Sequence, residues 1–131
     1  MHIDKLAWIL LKDGKILSTR SKGKSVWYIP GGKREAGESD LQALTREIKE
    51  ELCVDLIPES IQWVGEFRAP ADGHPEGMDV VMRCYTADYQ GELQVAAEIE
   101  AYEWLEMGSL GMVSAVDKKI FQFLYMRELM Y

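Results

Sequence analysis

Between Ser39 and Leu52 the apolar residues Leu41, Leu44, Ile48 and Leu52 recur at spacings of three, four and four, which a chain can bury together only as one face of an α-helix. Ser39, followed three places later by Gln42, forms a capping-box pattern and sets the start of that helix. On it Glu47, Glu50 and Glu51 stand at i, i+3 and i+4. At about 100° per residue they gather on one flank, roughly a quarter-turn from the apolar stripe. Carboxylates packed beside low-dielectric protein repel one another and raise at least one pKa unless a cation balances them. A hard divalent ion meets that need. Mg²⁺ suits such a site because it takes oxygen ligands, keeps several waters and shares its octahedron with substrate phosphates, and Mn²⁺ is the alternative. The competing reading is ordinary, since most Glu-rich helices present a solvated face with partners such as Arg46 and Glu50 at i,i+4.

Strand patterns surround the helix. Lys5 to Leu11 (KLAWILL) is nearly all apolar, and Asp13-Gly14 separates it from Lys15 to Thr19, which reads as a hairpin around a tight primed turn. Val26 to Ile29 reads as a third strand, cut off by Pro30-Gly31-Gly32. Two longer strands follow, Ile61 to Arg68 and Met78 to Ala87; in the second, alternation of Val80, Met82 and Cys84 with polar neighbours predicts one more buried side. A short strand near Tyr102 to Leu105 and a final helix from about Ser114, with Val116, Ile120, Phe121 and Leu124 on one side, complete the order. Strands before and after a central helix, with a second helix at the end, predict a mixed α/β layered domain.

The 131 residues are one domain's worth of chain, 1–131, and 47% apolar content can fill its core. A formal net charge of -7 argues against a protein that binds nucleic acid or anionic membrane through a basic surface. No run approaches a membrane span, and the amino terminus lacks an export-signal pattern, so a cytoplasmic location is expected. Cys53 and Cys84, far apart and without metal-ligand spacing to His2 or His74, read as reduced apolar fillers.

The spacing around the helix is specific. Gly32, Glu38, Arg46-Glu47-Ile48, Glu50-Glu51 and the aliphatic Val54 fall at fixed intervals, preceded by Trp27-Tyr28-Ile29-Pro30-Gly31-Gly32. This pattern resembles the signature box of the Nudix hydrolases. The box covers 23 residues, 32–54, and departs from the family at Cys53, where a glycine is expected as the chain leaves the helix. The resemblance implies an α/β/α sandwich, a mixed sheet between the box helix and the C-terminal helix. It also implies hydrolysis of a nucleoside diphosphate linked to another moiety. Carried over by position, Glu50 and Glu51 would be the principal metal ligands, Glu47 a third ligand or the base, and the carbonyl of Gly31 a further ligand. Arg46 would orient Glu47, and Glu38 would support the site from outside. Relatives often recruit an acidic residue from a loop ahead of the last core strand; Glu98 is the candidate, with Glu100 second, against the reading that Glu92, Glu98, Glu100 and Glu103 are only acidic surface.

For the substrate, Gly32 offers a backbone that phosphates can approach, and Trp27, with Trp8, Tyr28, Phe67 and Tyr85, is a candidate to stack on a base. Arg68 and Lys22/Lys24 are candidates for phosphate contact. Pro70 and Pro75 fall near a proline of some ADP-ribose-cleaving relatives, although turn chemistry alone explains both. The expected activity is Mg²⁺-dependent cleavage of a small nucleotide, first a nucleoside or deoxynucleoside triphosphate. ADP-ribose or another nucleotide sugar comes next, and a nucleotide-sensing module without turnover is the alternative of another class. Membrane and nucleic-acid partners are not expected; the residues are silent on oligomeric state, although dimers are frequent among such relatives.

Overall fold

The computed structural model describes residues 2–71 and 77–131, so His74 and Pro75 lie outside the described residues. β1 (His2–Trp8) runs parallel to β7 (Asp79–Thr86) and antiparallel to β4 (Gly31–Lys33). β6 (Gln62–Pro70) closes a four-stranded mixed sheet in the order β4-β1-β7-β6. A second sheet, antiparallel, joins β2 (Leu11–Lys12), β3 (Lys15–Ser21) and β9 (Ile99–Leu105). A short pair, β5 (Asp55–Leu56) with β8 (Tyr89–Gln90), follows the first helix.

The sheets lie between helices α1 (Asp40–Leu52) and α2 (Ala115–Met126). Alternation along β1 divides the core: Leu6 and Trp8 pack with Leu44, Ile48 and Leu52 of α1, while Ala7 packs with Ile120, Phe121 and Leu124 of α2. β7 is most buried on the side that its alternation predicts, with Val80, Met82 and Cys84 in the core toward α2, and on its other face Tyr85 packs toward α1. A strand beside a parallel partner at the centre of a three-layer sandwich has no solvated face.

Local rules hold where the contacts are local. Ser39 caps α1, its Oγ accepting from Gln42 N–H while the Gln42 side chain accepts from Ser39 N–H, and Ser114 caps α2 by accepting from Asp117 N–H. Asp13 and Gly14 both take positive φ, as a primed hairpin turn between β2 and β3 requires. Three expectations need correction. The apolar run 5–11 is split, with β1 joining one sheet and β2 the other. The third strand lies after Pro30 and not before it; Val26 to Ile29 makes only isolated bridges, Trp27 to Val113 and Tyr28 to Thr19. Leu41 is 43% exposed, because it lies on the first turn of α1, and Ala43 takes its place in the core. No described helix is long and apolar enough to cross a membrane.

Candidate active site

α1 approaches the mixed sheet closely at β4, and two glycines permit it. A Cβ on Gly32 would collide with the Glu47 carboxyl, and one on Gly31, whose φ is 146°, would collide with the Leu6 carbonyl. Without side chains there, Glu47 packs on the Gly32 backbone and Glu51 accepts from Gly31 N–H through Oε1 at 3.2 Å. Glu51 is 6% exposed, one of few buried charged residues in the chain.

A cavity of about 320 Å³ opens beside these carboxylates, lined by Glu47, Glu51 and Glu98 together with Lys5, Thr19, Tyr28, Gly31, Gly32 and Lys33. Glu98 arrives there on a strap. The amides of Gln94 and Ala96 donate to the carbonyls of Leu52 and Glu51, each at 3.0 Å, so the loop satisfies two carbonyls that the end of α1 leaves open. Ala97 takes a positive φ, and Lys22 N–H holds the Glu98 carbonyl at 2.8 Å before the chain enters β9. Glu100, the second candidate, pairs instead with Arg20 at 2.7 Å.

The charges fall into two groups. Burial, with the negative charges of Glu47 and Glu98 adding to it, pushes the Glu51 carboxyl up to about 8; the Gly31 amide and Lys5 oppose this without overcoming it. Burial also raises Glu47, against the pull of Arg46. At the rim Arg46 gathers the other acids: Nε to Glu38 Oε2 at 2.7 Å, Nη1 to Glu47 Oε1 at 2.9 Å, and Nη1 to Glu50 at 3.4 Å. Its hydrogen bond, with that of the Glu35 amide, holds the Glu38 carboxyl down at about 2. Glu50 is exposed and stands outside the cavity lining.

Three oxygen-donor carboxylates on one cavity wall, one of them kept protonated to about pH 8, form a donor set short of positive charge, which fits a hard divalent cation. As they stand, no three His, Cys, Asp or Glu side chains among the described residues converge on one point. Arg46 draws Glu47 and Glu50 toward the rim while Glu51 faces Gly31.

The residues expected at the site divide accordingly. Glu47, Glu51, Glu98, Gly31 and Gly32 meet at the cavity, with Arg46 and Glu38 behind them. Trp27 does not: at 8% exposure it belongs to the core under α2, with the Arg20 guanidinium over its ring at 5.5 Å, so no face is open to a base. Arg68 lies on β6 facing Asp79 at 3.7 Å, outside the cavity lining. Trp8 and Tyr85 are core residues, and Phe67 packs edge-on against Phe123. Of the aromatic candidates Tyr28 lines the cavity. Sequence reasoning missed Lys5, which lines the cavity; the signal was a lysine on the same strand face as Ile3 and Ala7. Cys53 adopts the left-handed conformation at φ 61°, ψ 23°, so the helix exit keeps the geometry of the usual glycine.

Comparison with known proteins converges on the same stretch. A family model described as NUDIX domain matches residues 3–124. The chain is 35% identical over 107 residues to a CTP pyrophosphohydrolase of Escherichia coli K12, covering 78% of this chain and 74% of that protein. It is 32% identical over 122 residues to an ADP-ribose pyrophosphatase of Methanocaldococcus jannaschii, covering 91% and 70%. Among solved structures, the E. coli ORF135 protein superposes with a TM-score of 0.74 at 28% identity over 96% of this chain and 91% of that one. A MutT protein from Methanosarcina mazei Go1 shares the fold at a TM-score of 0.77 and 18% identity, covering 97% of this chain and 95% of that one.

Proposed function

The chain belongs to the Nudix family of pyrophosphate-cleaving hydrolases, and on that premise we propose that it hydrolyses a nucleoside or deoxynucleoside triphosphate to the monophosphate and pyrophosphate, with Mg²⁺ as its ion and residues 1–131 as one catalytic domain. The observation that carries this reading is the shared cavity wall of Glu47, Glu51 and Glu98, which sets a buried carboxyl, a half-buried one and an exposed one on one cavity. Glu47 and Glu51 would hold the ion, with Glu50 and the Gly31 carbonyl as further ligands. When bound, the ion lowers the pKa of a coordinated water and neutralises phosphate oxygens.

The chain's own residues do the rest. The Gly31 amide fixes Glu51, and the Arg46 guanidinium, itself anchored on Glu38, fixes Glu47. Glu98, on the loop tied to the end of α1, takes the proton of the attacking water in this reading, with Glu47 the alternative base; its place in the cavity lining supports the role. Gly32 leaves room for the Glu47 carboxyl at the wall. The similarity to a CTP pyrophosphohydrolase supports the triphosphate reading. A nucleotide-sugar substrate is the second reading, supported by the ADP-ribose pyrophosphatase relative that covers 91% of the chain. A non-hydrolysing module is disfavoured because Glu47, Glu50 and Glu51 are all present.

The test is a nucleotide panel with Mg²⁺, read as release of pyrophosphate and monophosphate. Cleavage of a triphosphate above ADP-ribose is expected. Preference for ADP-ribose would move the substrate class, and no turnover of any member would overturn hydrolysis.

A further inference from the structure

Lys5 occupies a position in β1 where its strand otherwise places apolar side chains. Ile3, Lys5 and Ala7 alternate on one face, and pairing sets Val80 beside Ile3, Met82 beside Lys5 and Cys84 beside Ala7. Ala7, Val80, Met82 and Cys84 belong to the core beneath α2, and Ile3 packs against it. The Lys5 side chain is partly buried where that column meets two cavities. It lines the carboxylate cavity and also a neighbouring one of about 100 Å³, its Nζ lying 5.5 Å from the centre of the Tyr28 ring. An ammonium costs more to bring into such surroundings than the methionine beside it.

We propose that Lys5 is a substrate-binding residue whose ammonium takes a non-bridging oxygen of the polyphosphate chain, beside the wall formed by Glu47 and Glu51. The assignment rests on the phosphate-cleaving reading of the site. A protein of net charge -7 must draw a polyanion into a cavity whose lining carries three carboxylates, and Lys5 and Lys33 are the cationic side chains in that lining. Arg68, the arginine expected to contact phosphate, faces Asp79, and Arg46, Arg34 and Arg83 pair with Glu38, Asp40 and Glu66. A compact ammonium is a point charge suited to a phosphate oxygen and cannot compete for an ion held by carboxylates. Burial lowers the Lys5 ammonium's pKa, and the carboxylates of Asp117, Glu51 and Glu47 oppose that; because Lys5 shares the cavity lining with Glu47 and Glu51, it stands where phosphates would meet a bound ion.

Lys5→Met and Lys5→Arg in the full chain test this, through Michaelis constants for the best triphosphate and calorimetric binding of inorganic tripolyphosphate, both with Mg²⁺. Loss of one charge-assisted hydrogen bond is worth about 10- to 100-fold. Lys5→Met is expected to raise KM and weaken tripolyphosphate binding by that factor, with kcat within about threefold. Lys5→Arg should recover part of the affinity. A lysine that serves only the fold would lower the melting temperature and leave KM alone. Equal KM and equal tripolyphosphate affinity in Lys5→Met would overturn the proposal; Lys5→Gln repeats the measurement if the methionine variant does not fold. Should the wild type cleave no nucleotide, the hydrolytic reading fails by itself, and tripolyphosphate binding still decides Lys5. Binding lost in Lys5→Met supports it, and binding unchanged there, or absent from the wild type, overturns it.

Discussion

The inner flank of α1 and the rim ahead of it carry the same residue type and treat it in opposite ways. On the inner flank Glu51 faces glycine backbone and two other carboxylates, and its carboxyl is pushed up to about 8. At the outer rim Glu38 sits on the Arg46 guanidinium and is held at about 2. Both are glutamates of one box, thirteen residues apart. What separates them is whether a guanidinium is within reach and whether water is. The rim is a finished ion-pair network, and the inner flank is a set of acids still short of a positive charge, which is what a site for a metal ion requires.

The largest expected effect breaks the inner flank. Glu51→Gln should lower kcat by at least about 10⁴-fold while the ion-free protein at pH 8 melts higher than wild type, because a neutral amide replaces an unfavourable buried charge. A folded Glu51→Gln enzyme with near-normal kcat would remove the contrast altogether. Next is Glu98→Gln, expected to cost roughly 10²- to 10⁴-fold in kcat with little change in Mg²⁺ affinity, as for loss of a general base. Glu100→Gln, which loses only a pair with Arg20, should be nearly silent; the reverse pattern would move the base two residues along.

The rim should respond more gently. Glu38→Gln is expected to lower kcat about 10-fold, since Arg46 then holds Glu47 less firmly and no ligand is lost. Acidity separates flank from rim without any mutation. A carboxyl raised from 4.5 to about 8 favours the fold fully below about pH 4.5, and that contribution is lost as the pH climbs to about 8. Melting temperature in EDTA should therefore fall across that window, and Mg²⁺ or Glu51→Gln should flatten the slope. Glu38 has the opposite sign, helping above about pH 4.5 and ceasing to help as the pH falls toward about 2. A flat melting profile in EDTA from pH 5 to 8 would mean that the inner acids are ordinary solvated groups. The smallest effect is at the end of the helix: Cys53→Gly should stabilise by about 1 kcal/mol, a few degrees in melting temperature, since glycine adopts φ 61° without cost.

These residues also show what the sequence made legible. Ser39 and Gln42, or Asp13 and Gly14, act on neighbours a few places away, so their patterns announce the cap and the turn directly. The carboxylates share a helix, and their spacing gave their common flank, although Arg46 turns Glu50 outward. β4 was hidden because Gly31 to Lys33 become a strand only by pairing with residues 5–7, and nothing in three residues of glycine and lysine states that. Trp27 looked available because burial depends on α2 and Val113, far along the chain. Lys5 looked like the edge of an apolar run until sheet register set it beside Met82 and the cavity.

The strap that carries Glu98 has a consequence for how such a site can change over time. Its amides at Gln94 and Ala96 are tied to the carbonyls of Leu52 and Glu51, so the arrival of Glu98 is measured in residues from those knots. Backbone atoms do the tying, so the exposed side chains of Glu92, Gln94 and Val95 are free to drift while Leu93 packs on the core. Length is not free: one inserted residue after Ala96 would carry the Glu98 carboxylate out of the cavity while every letter of the helix stayed the same. Part of this site is thus encoded as a count, and related chains would keep that number even where they share none of the intervening letters.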